Sequence, residues 1–548
     1  MSMPHEGVGC GSQRVVRRAT VSLGLAAAML SLGCVVPPPP GGLITPGDPG
    51  VSDVRITIVS TQGVHAISPW IYRTNGATNL SANKQTVVRM GGNRWTAYNW
   101  ENNASNAGSD WCFQNDGFLS GSNTPGAAVT AQIDQAQNAG ALAIVTIPII
   151  DYVAADKNGG CDVRNSGANY LQTRFKANKH TKPSALSITP NAADADVYED
   201  EYVNWLRLTQ PEGGIVFSLD NEPDLWSATH EAVHPSPVTY AELVSRNTNY
   251  ATAIKRAWPE AKVLGPANYG FFGTETLQGA PDAGANGNFL DYYLTQMKNA
   301  DTAAGKRLVD LLDLHWYPEA TGGGTRITGA STAAAVVAAR VQAPRSLWDH
   351  TYTENSWITT DYGYGPLNMI NRTKARITSK YPGTGLAFTE WNYGGGDHIS
   401  GAVASADVLG IFGREDVSLA TMWPLNGNDS YTYAAFRAFR NYDGAGARFG
   451  NTSIGALSSD NAVASSYASI DSSDPNRVVA VLVNKATTAK KAGVTVSHTM
   501  ALTVADAYTI TAAGGANVAG AGTHTAVAGN AFNYTMPAMS VTVLVFKP

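Results

Sequence analysis

Two glutamates stand out by where they fall. Asn221-Glu222-Pro223 ends the apolar run GIVFSLD, and Glu390 ends the run GLAFT and is followed by Trp391. A carboxyl at the buried end of a strand is pushed towards its neutral form, as a general acid working near neutral pH requires. Facing each other across a scissile acetal, two carboxyls form the pair that hydrolyses glycosides, about 5–5.5 Å apart when configuration is retained. Either glutamate alone reads equally well as a solvated loop carboxylate or a salt-bridge partner. Asn221 could donate a hydrogen bond to a sugar hydroxyl. His315 and Tyr317, in His-Trp-Tyr-Pro, alternate onto one side of a strand. They could bond a carboxylate or a sugar, or simply pack as a core histidine and tyrosine. Arg89 ends another apolar run, and its charge would hold a carboxylate ionised. Trp423 ends the last such run, a floor for a sugar ring or plain barrel filling.

These positions demand an architecture that gathers the ends of several strands at one mouth. Residues 66–444 alternate apolar runs (IYRTN, TVVRM, ALAIVTIPI, GIVFSLD, KVLGPA, LLDLHWY, GLAFTEW, VSLATMW) with amphipathic stretches such as AVTAQIDQAQNAG and TYAELVSRNTNYATAIKRAW. Runs this continuously apolar suit strands buried on both faces. Eight strand–helix alternations predict an α/β fold, a (β/α)8 TIM barrel, whose catalytic groups sit at the C-terminal ends of its strands. No Gly-x-Gly-x-x-Gly turn follows an early strand, which removes the commonest nucleotide-binding form of an open sheet. Residues 445–548 change character: RVVAVLVNK, AGVTVSH, DAYTITA and SVTVLVFKP alternate between Gly, Asn and Ser turns and predict a C-terminal antiparallel β-sandwich. An early strand, DVRITIV within residues 53–65, is expected to join it.

Residues 1–34 read as an export leader, with Arg14, Arg17 and Arg18 ahead of an apolar run too short to span a bilayer. LSLGC ending at Cys34 is similar to a lipoprotein cleavage site, so the chain is expected to be exported, either secreted or attached to a membrane through a lipid on Cys34. Residues 35–52 form a Pro/Gly-rich linker. A net charge of -5 offers no basic face to nucleic acid, whereas 12 Trp suit a neutral sugar partner. Cys112 and Cys161 fall in the folded part and read either as a disulfide or as two unpaired thiols.

Five strings carry a resemblance. RMGGNRWTAYNWENNASNAGSDW (89–111), SLDNEPDLW (218–226), DLHWYPEATGGGTRIT (313–328), QAPRSLWDHTYTENSWI (342–358) and TEWNYGG (389–395) closely resemble glycoside hydrolase family 44. The resemblance implies a barrel plus β-sandwich and retaining endo-hydrolysis of β-1,4-glucans, including cellulose derivatives and xyloglucan. It implies Glu222 as acid/base and Glu390 as nucleophile. Asn221, Tyr317, Trp357 and Trp423 would line the cleft, joined by Asn75 and Trp95. Asp361 stands where some relatives carry a second cleft tryptophan. The resemblance also suggests a structural calcium, for which Asp194 and Asp196, near Glu199 and Asp200, could supply oxygens. The chemistry itself needs no cofactor. The expected partner is a β-glucan polysaccharide, met by a monomer. Two rivals stand beside this reading: the same barrel turned to mannan or xylan, and a surface glycan-binding lipoprotein with a degenerate barrel. A binder has no need for a matched acid and nucleophile.

Overall fold

A computed structural model describes residues 42–76, 82–425 and 427–548. The leader with Cys34, and the linker up to residue 41, lie outside them. The first strand, β1 (Val54–Val59), belongs to the terminal sheet described below. The strands of the central sheet are β2 (Val87–Met90), β3 (Leu142–Ile147), β4 (Ile215–Leu219), β5 (Lys262–Tyr269), β6 (Leu311–Trp316), β7 (Gly385–Trp391) and β8 (Leu419–Met422). They form one parallel sheet in the order β8-β7-β6-β5-β4-β3-β2. The ring closes through the expected first strand, IYRTN, reduced to two parallel bridges: Thr74 to Met422 on β8 and Asn75 to Arg89 on β2. It is short because Pro69 opens a 3-10 turn (Pro69–Ile71), capped by the Ser68 hydroxyl on the Trp70 N–H, which consumes the start of the run.

Helices follow the strands and cover the outside: α1 (Ala127–Asn138), α2 (Glu199–Thr209), α3 (Tyr240–Ala257), α4 (Phe289–Ala304), α5 (Ala334–Gln342), α6 (Met369–Lys380), α7 (Ile399–Arg414) and α8 (Ser430–Arg440). This is a TIM-type barrel. Its lower interior is filled by Val87, Leu142, Ile144, Val216, Leu264, Ala387 and Leu419. Because strand side chains alternate, the same inward rows climb from apolar to polar: Val87 to Arg89 on β2, and Leu311 through Asp313 to His315 on β6. β7 carries one extra residue. Ala387 pairs with Asp313 and Glu390 with His315, so three residues on β7 span two on β6, and the same offset recurs against β8. This bulge lets Thr389 and its neighbour Glu390 both serve the mouth, where strict alternation would send one of them outwards.

The terminal strands are β9 (Thr452–Ser458), β10 (Ala464–Asp471), β11 (Asp474–Asn484), β12 (Lys490–Ser497), β13 (Val504–Ile510), β14 (Ala519–Ala526), β15 (Ala531–Met536) and β16 (Ser540–Lys547). They run in the order β14-β13-β16-β11-β10-β9-β1-β12-β15, with every neighbouring pair antiparallel except β1–β12. The early strand therefore joins the late sheet as expected, between β9 and β12. The sheet has its own core, including Ile56, Ile58, Leu482, Val494, Leu544 and Phe546. A buried ion pair ties it to the barrel: Lys485 Nζ lies 2.7 Å from Asp407 Oδ2 on α7, each side chain 1% exposed. Among the described residues, no helix is long and apolar enough to cross a membrane.

Candidate active site

The two glutamates meet at the C-terminal mouth of the barrel. An oxygen of Glu222, an oxygen of Glu390 and a ring nitrogen of His315 all lie within 4.8 Å of one another. The two glutamates face a cleft of about 300 Å³ walled by Asp110, Tyr269, Tyr317, Arg326 and Trp423, among others.

Glu390 is buried among donors. Arg89 Nη1 donates to its Oε1 at 2.6 Å, and the Tyr317 hydroxyl donates to its Oε2 at 2.7 Å. Arg89 is itself fixed: Nη1 also donates to Asn75 Oδ1 at 3.1 Å, and Nη2 to Asn221 Oδ1 at 2.9 Å. The Asn75 amide spends its hydrogens inwards, on the Thr389 carbonyl at 2.9 Å. The guanidinium lies over the backbone of Gly91, where any Cβ would collide with it. At Gly92 the backbone takes φ +92°, and a Cβ would come within 2.7 Å of the Trp423 ring. The paired glycines of RMGGNR thus admit the arginine on one side and the tryptophan on the other.

Glu222 has a different environment. Burial raises its carboxyl to about 7, with Arg89 lowering it and Asp110 raising it. Among the described residues its side chain has one close hydrogen-bond partner, His315, whose Nδ1 lies 2.8 Å from Oε1. Burial drives the His315 pKa down to about 4, against the pull of Glu390, so the ring is neutral near pH 7. The Glu222 backbone is held in the left-handed region (φ 47°), its N–H donating to the Ala267 carbonyl at 2.9 Å. Asn221 Oδ1 accepts from both Arg89 and the Gly92 N–H (3.1 Å), which leaves its Nδ2 to donate into the cleft.

Of the residues singled out in the sequence, Glu222, Glu390, Asn221, Tyr317 and Trp423 line the cleft, and His315 stands directly behind it. Asn75 lies deeper, a partner of Arg89. Trp95 is a correction: it is 3% exposed and packs edge-on against Tyr98 at 4.8 Å, part of the core, because the short helix Asn93–Thr96 turns it inwards. Trp357 stands on an adjoining aromatic shelf with Phe272 and Tyr362, its Nε1 donating to Glu319 Oε2 at 3.0 Å. Glu319 pairs at 2.6 Å with Arg326 of the cleft wall. Tyr362, beside Asp361, is 60% exposed on this shelf. The sequence reading missed Asp110, Tyr269 and Arg326. Asp110 and Arg326 lie inside the recognised strings, and Tyr269 ends β5, where the strand-end rule should have caught it.

Cys112 and Cys161 stand as free thiols. Cys161 and burial push the Cys112 thiol up to about 11. Asp194 and Asp196 do not fit a calcium site, which needs six to eight oxygens. Lys176 Nζ lies 3.7 Å from Asp194, the Tyr198 hydroxyl donates to Asp196 at 3.2 Å, and among the described residues no three His, Cys, Asp or Glu side chains converge there. Glu199 is fully buried and held well above the usual carboxylate range, and Asp200 is taken by Arg256.

Comparison with known proteins bears on the family of the chain. The model of glycoside hydrolase family 44 matches residues 104–320. The endoglucanase A of Paenibacillus lautus is 43% identical over 482 residues, covering 84% of this chain and 67% of that relative. A β-mannanase/endoglucanase A of Caldicellulosiruptor saccharolyticus is 41% identical over 467 residues, 79% of this chain but only 34% of its own length. A family 44 xyloglucanase of Paenibacillus polymyxa, solved with xyloglucan, superposes with a TM-score of 0.86 at 38% identity, over 90% of this chain and 99% of that one. With the two glutamates at the barrel mouth and relatives of this identity along nearly all of the described chain, the protein is a glycoside hydrolase and belongs to family 44.

Proposed function

We propose that the chain is a retaining endo-β-1,4-glucanase acting on cellulose-type glucans and xyloglucan, with Glu222 as acid/base and Glu390 as nucleophile. The observation that carries this is the contrast within one 4.8 Å cluster: a carboxyl raised to about 7 beside a carboxylate bonded by an arginine and a tyrosine. Such a separation leaves room for direct displacement and none for a water between the carboxyls. In the first step Glu390 bonds the anomeric carbon as the glycosidic C–O bond breaks, and the Glu222 proton passes to the leaving oxygen. In the second, Glu222 takes a proton from water, whose oxygen bonds the anomeric carbon as the Glu390 ester bond breaks. Two inversions return the β configuration.

The substrate class rests on the printed activities of the relatives: endoglucanase for the Paenibacillus lautus protein and xyloglucan for the solved Paenibacillus polymyxa enzyme. Mannan is the second reading. It is weaker because this chain spans about a third of the relative named for mannanase. We read the terminal sheet as a β-sandwich, since its one path of strands encloses a separate apolar core. We further read the enzyme as an exported monomer needing no cofactor, in which Cys112 and Cys161 give up two protons and two electrons to the oxidising environment that exported proteins meet and form a disulfide.

The roles are tested by azide rescue. Glu222→Ala should release a phenolate from an activated aryl cellooligosaccharide and then stall, and azide should restore turnover and give the β-glycosyl azide. Glu390→Ala with azide should give the α-azide. The two anomers obtained the other way round would mean that the roles are exchanged.

A further inference from the structure

A third carboxyl lies one layer beneath the site and takes no part in the two steps above. Asp313 is fully buried on β6, two residues before His315. Its Oδ1 accepts from the Thr389 backbone N–H at 3.0 Å, and its Oδ2 accepts from the Thr389 hydroxyl at 2.7 Å. Thr389 Oγ1 in turn lies 3.1 Å from His315 Nε2, and His315 Nδ1 lies 2.8 Å from Glu222. The chain Asp313–Thr389–His315–Glu222 is continuous.

A threonine hydroxyl has one proton to give. Here it goes to Asp313, so Thr389 shows Nε2 a lone pair. On the other side Arg89 Nη2 gives one of its two hydrogens to Asn221 at 2.9 Å and aims the other at Nε2 over the longer distance of 3.3 Å. The closer contact decides: Nε2 carries the hydrogen and donates it to Thr389. In a neutral ring Nδ1 is then a lone pair, and at 2.8 Å from Glu222 it must accept.

We propose that Asp313, acting through Thr389, holds His315 as its Nε2–H tautomer, so that Nδ1 accepts the proton of Glu222 and keeps that carboxyl loaded as the general acid. This rests on the assignment of Glu222 as acid/base. Asp313 is thus a positioning residue. Once Glu222 has given its proton to the leaving oxygen, its carboxylate faces a lone pair. That contact favours recovery of a proton from the water that attacks the anomeric carbon as the bond to Glu390 breaks. The charged groups around this chain are few: His315 faces Glu222, Arg89, Glu390 (3.7 Å) and Asp313, while Glu222 faces His315, Arg89, Asp110 and Asp224.

In Asp313→Asn the amide nitrogen can donate to Thr389, whose hydroxyl then turns to Nε2. The tautomer flips and Nδ1–H stabilises the Glu222 carboxylate. The alkaline limb of kcat/KM on an unactivated β-glucan should move down by about 1 pH unit, the size expected of one hydrogen bond to a charged form. Thr389→Val should move it the same way, and Thr389→Ser should return it. A purely structural role would lower activity at all pH values and leave the limb in place. Nitrogen-15 NMR of His315 in the wild type reads the tautomer directly and serves even if a variant fails to fold: Nε2–H is expected, and Nδ1–H would overturn the proposal. A limb that vanishes in Glu222→Gln but stays put in folded Asp313→Asn and Thr389→Val would sink the relay alone. A limb that survives in Glu222→Gln would sink the acid/base assignment beneath it.

Discussion

Replacing Glu222 by Gln should make the enzyme more stable as it removes a buried carboxyl, and only above about pH 5. The wild-type carboxyl titrates near 4.5 when unfolded and at about 7 in the fold, because burial disfavours its charge. Below 4.5 it is protonated in both states and has no effect on stability. Between 4.5 and 7 the folded state binds more protons than the unfolded one, so stability falls as pH rises. Above 7 it is ionised in both states, and the full cost stands. A gap of about 2.5 on the pH scale, at about 1.36 kcal/mol for each step of one, amounts to about 3.4 kcal/mol. The side chain is 13% exposed, and water reaching it lowers that to about 3 kcal/mol. Glutamine keeps the shape and carries no charge. Over a cooperative unit of roughly 370 residues, melting entropies of about 2.1 cal/mol/K per residue convert this to about 4 °C. Paired thermal melts of wild type and Glu222→Gln should coincide at pH 4 and differ by about 4 °C at pH 8.5, the variant higher. Every other titrating group is common to both proteins, so the difference isolates Glu222. A gap that did not change with pH, or a variant less stable at pH 8.5, would refute the account of how this carboxyl is raised.

Three further outcomes follow from the same geometry. Tyr317→Phe removes the 2.7 Å bond to Glu390, and hydrogen bonds to charged groups contribute about 1.5–3 kcal/mol. Its kcat/KM should fall roughly 10- to 100-fold, and full activity would place the hydroxyl outside the reaction. Lys485→Met strands the buried Asp407 carboxylate and should destabilise by about 3–5 kcal/mol, much of it recovered in the double variant with Asp407→Leu. Denaturant unfolding measures this, and a loss below about 1 kcal/mol would show that the pair does not hold the sheet to the barrel. Thiol counting on the mature, denatured, unreduced protein should find neither Cys112 nor Cys161 reactive, whereas two reactive thiols would mean that the pair stays reduced.

The pair of glutamates at the barrel mouth was legible because it obeys two local rules, apolar strands and polar strand ends, that need no knowledge of partners. The same rules predicted the barrel, the helices after its strands and the early strand β1 of the terminal sheet. What escaped was set by packing. The bulge in β7 that brings Thr389 and Glu390 to one mouth leaves no trace in GLAFTEW, since register is a property of two strands. Trp95 and Trp423 are both tryptophans in or beside strand ends, and only the turn after Gly92 sends one to the core and the other to the cleft. Asp194 and Asp196 read as oxygen donors because Lys176, which stands 3.7 Å from Asp194, is far from it in sequence. The shelf of Phe272, Trp357 and Tyr362 draws on two separate loops, one after β5 and one after α5.

The place of β1 has a mechanical meaning. Its backbone pairs with strands that follow the whole barrel: the Arg55 N–H donates to the Ser459 hydroxyl, 404 residues away. In sequence the barrel is therefore an insertion inside the sheet domain. Closing a loop of that length is easier once the barrel has folded and drawn its two ends together, so the sheet should be the last part to form. During synthesis at about 5–20 residues per second, β1 waits roughly 20–80 s for its partners. The order reverses under load. A pull applied ahead of β1 and behind β16 acts first on the strand pairs of the sheet, and the barrel with its cleft bears no tension until they part.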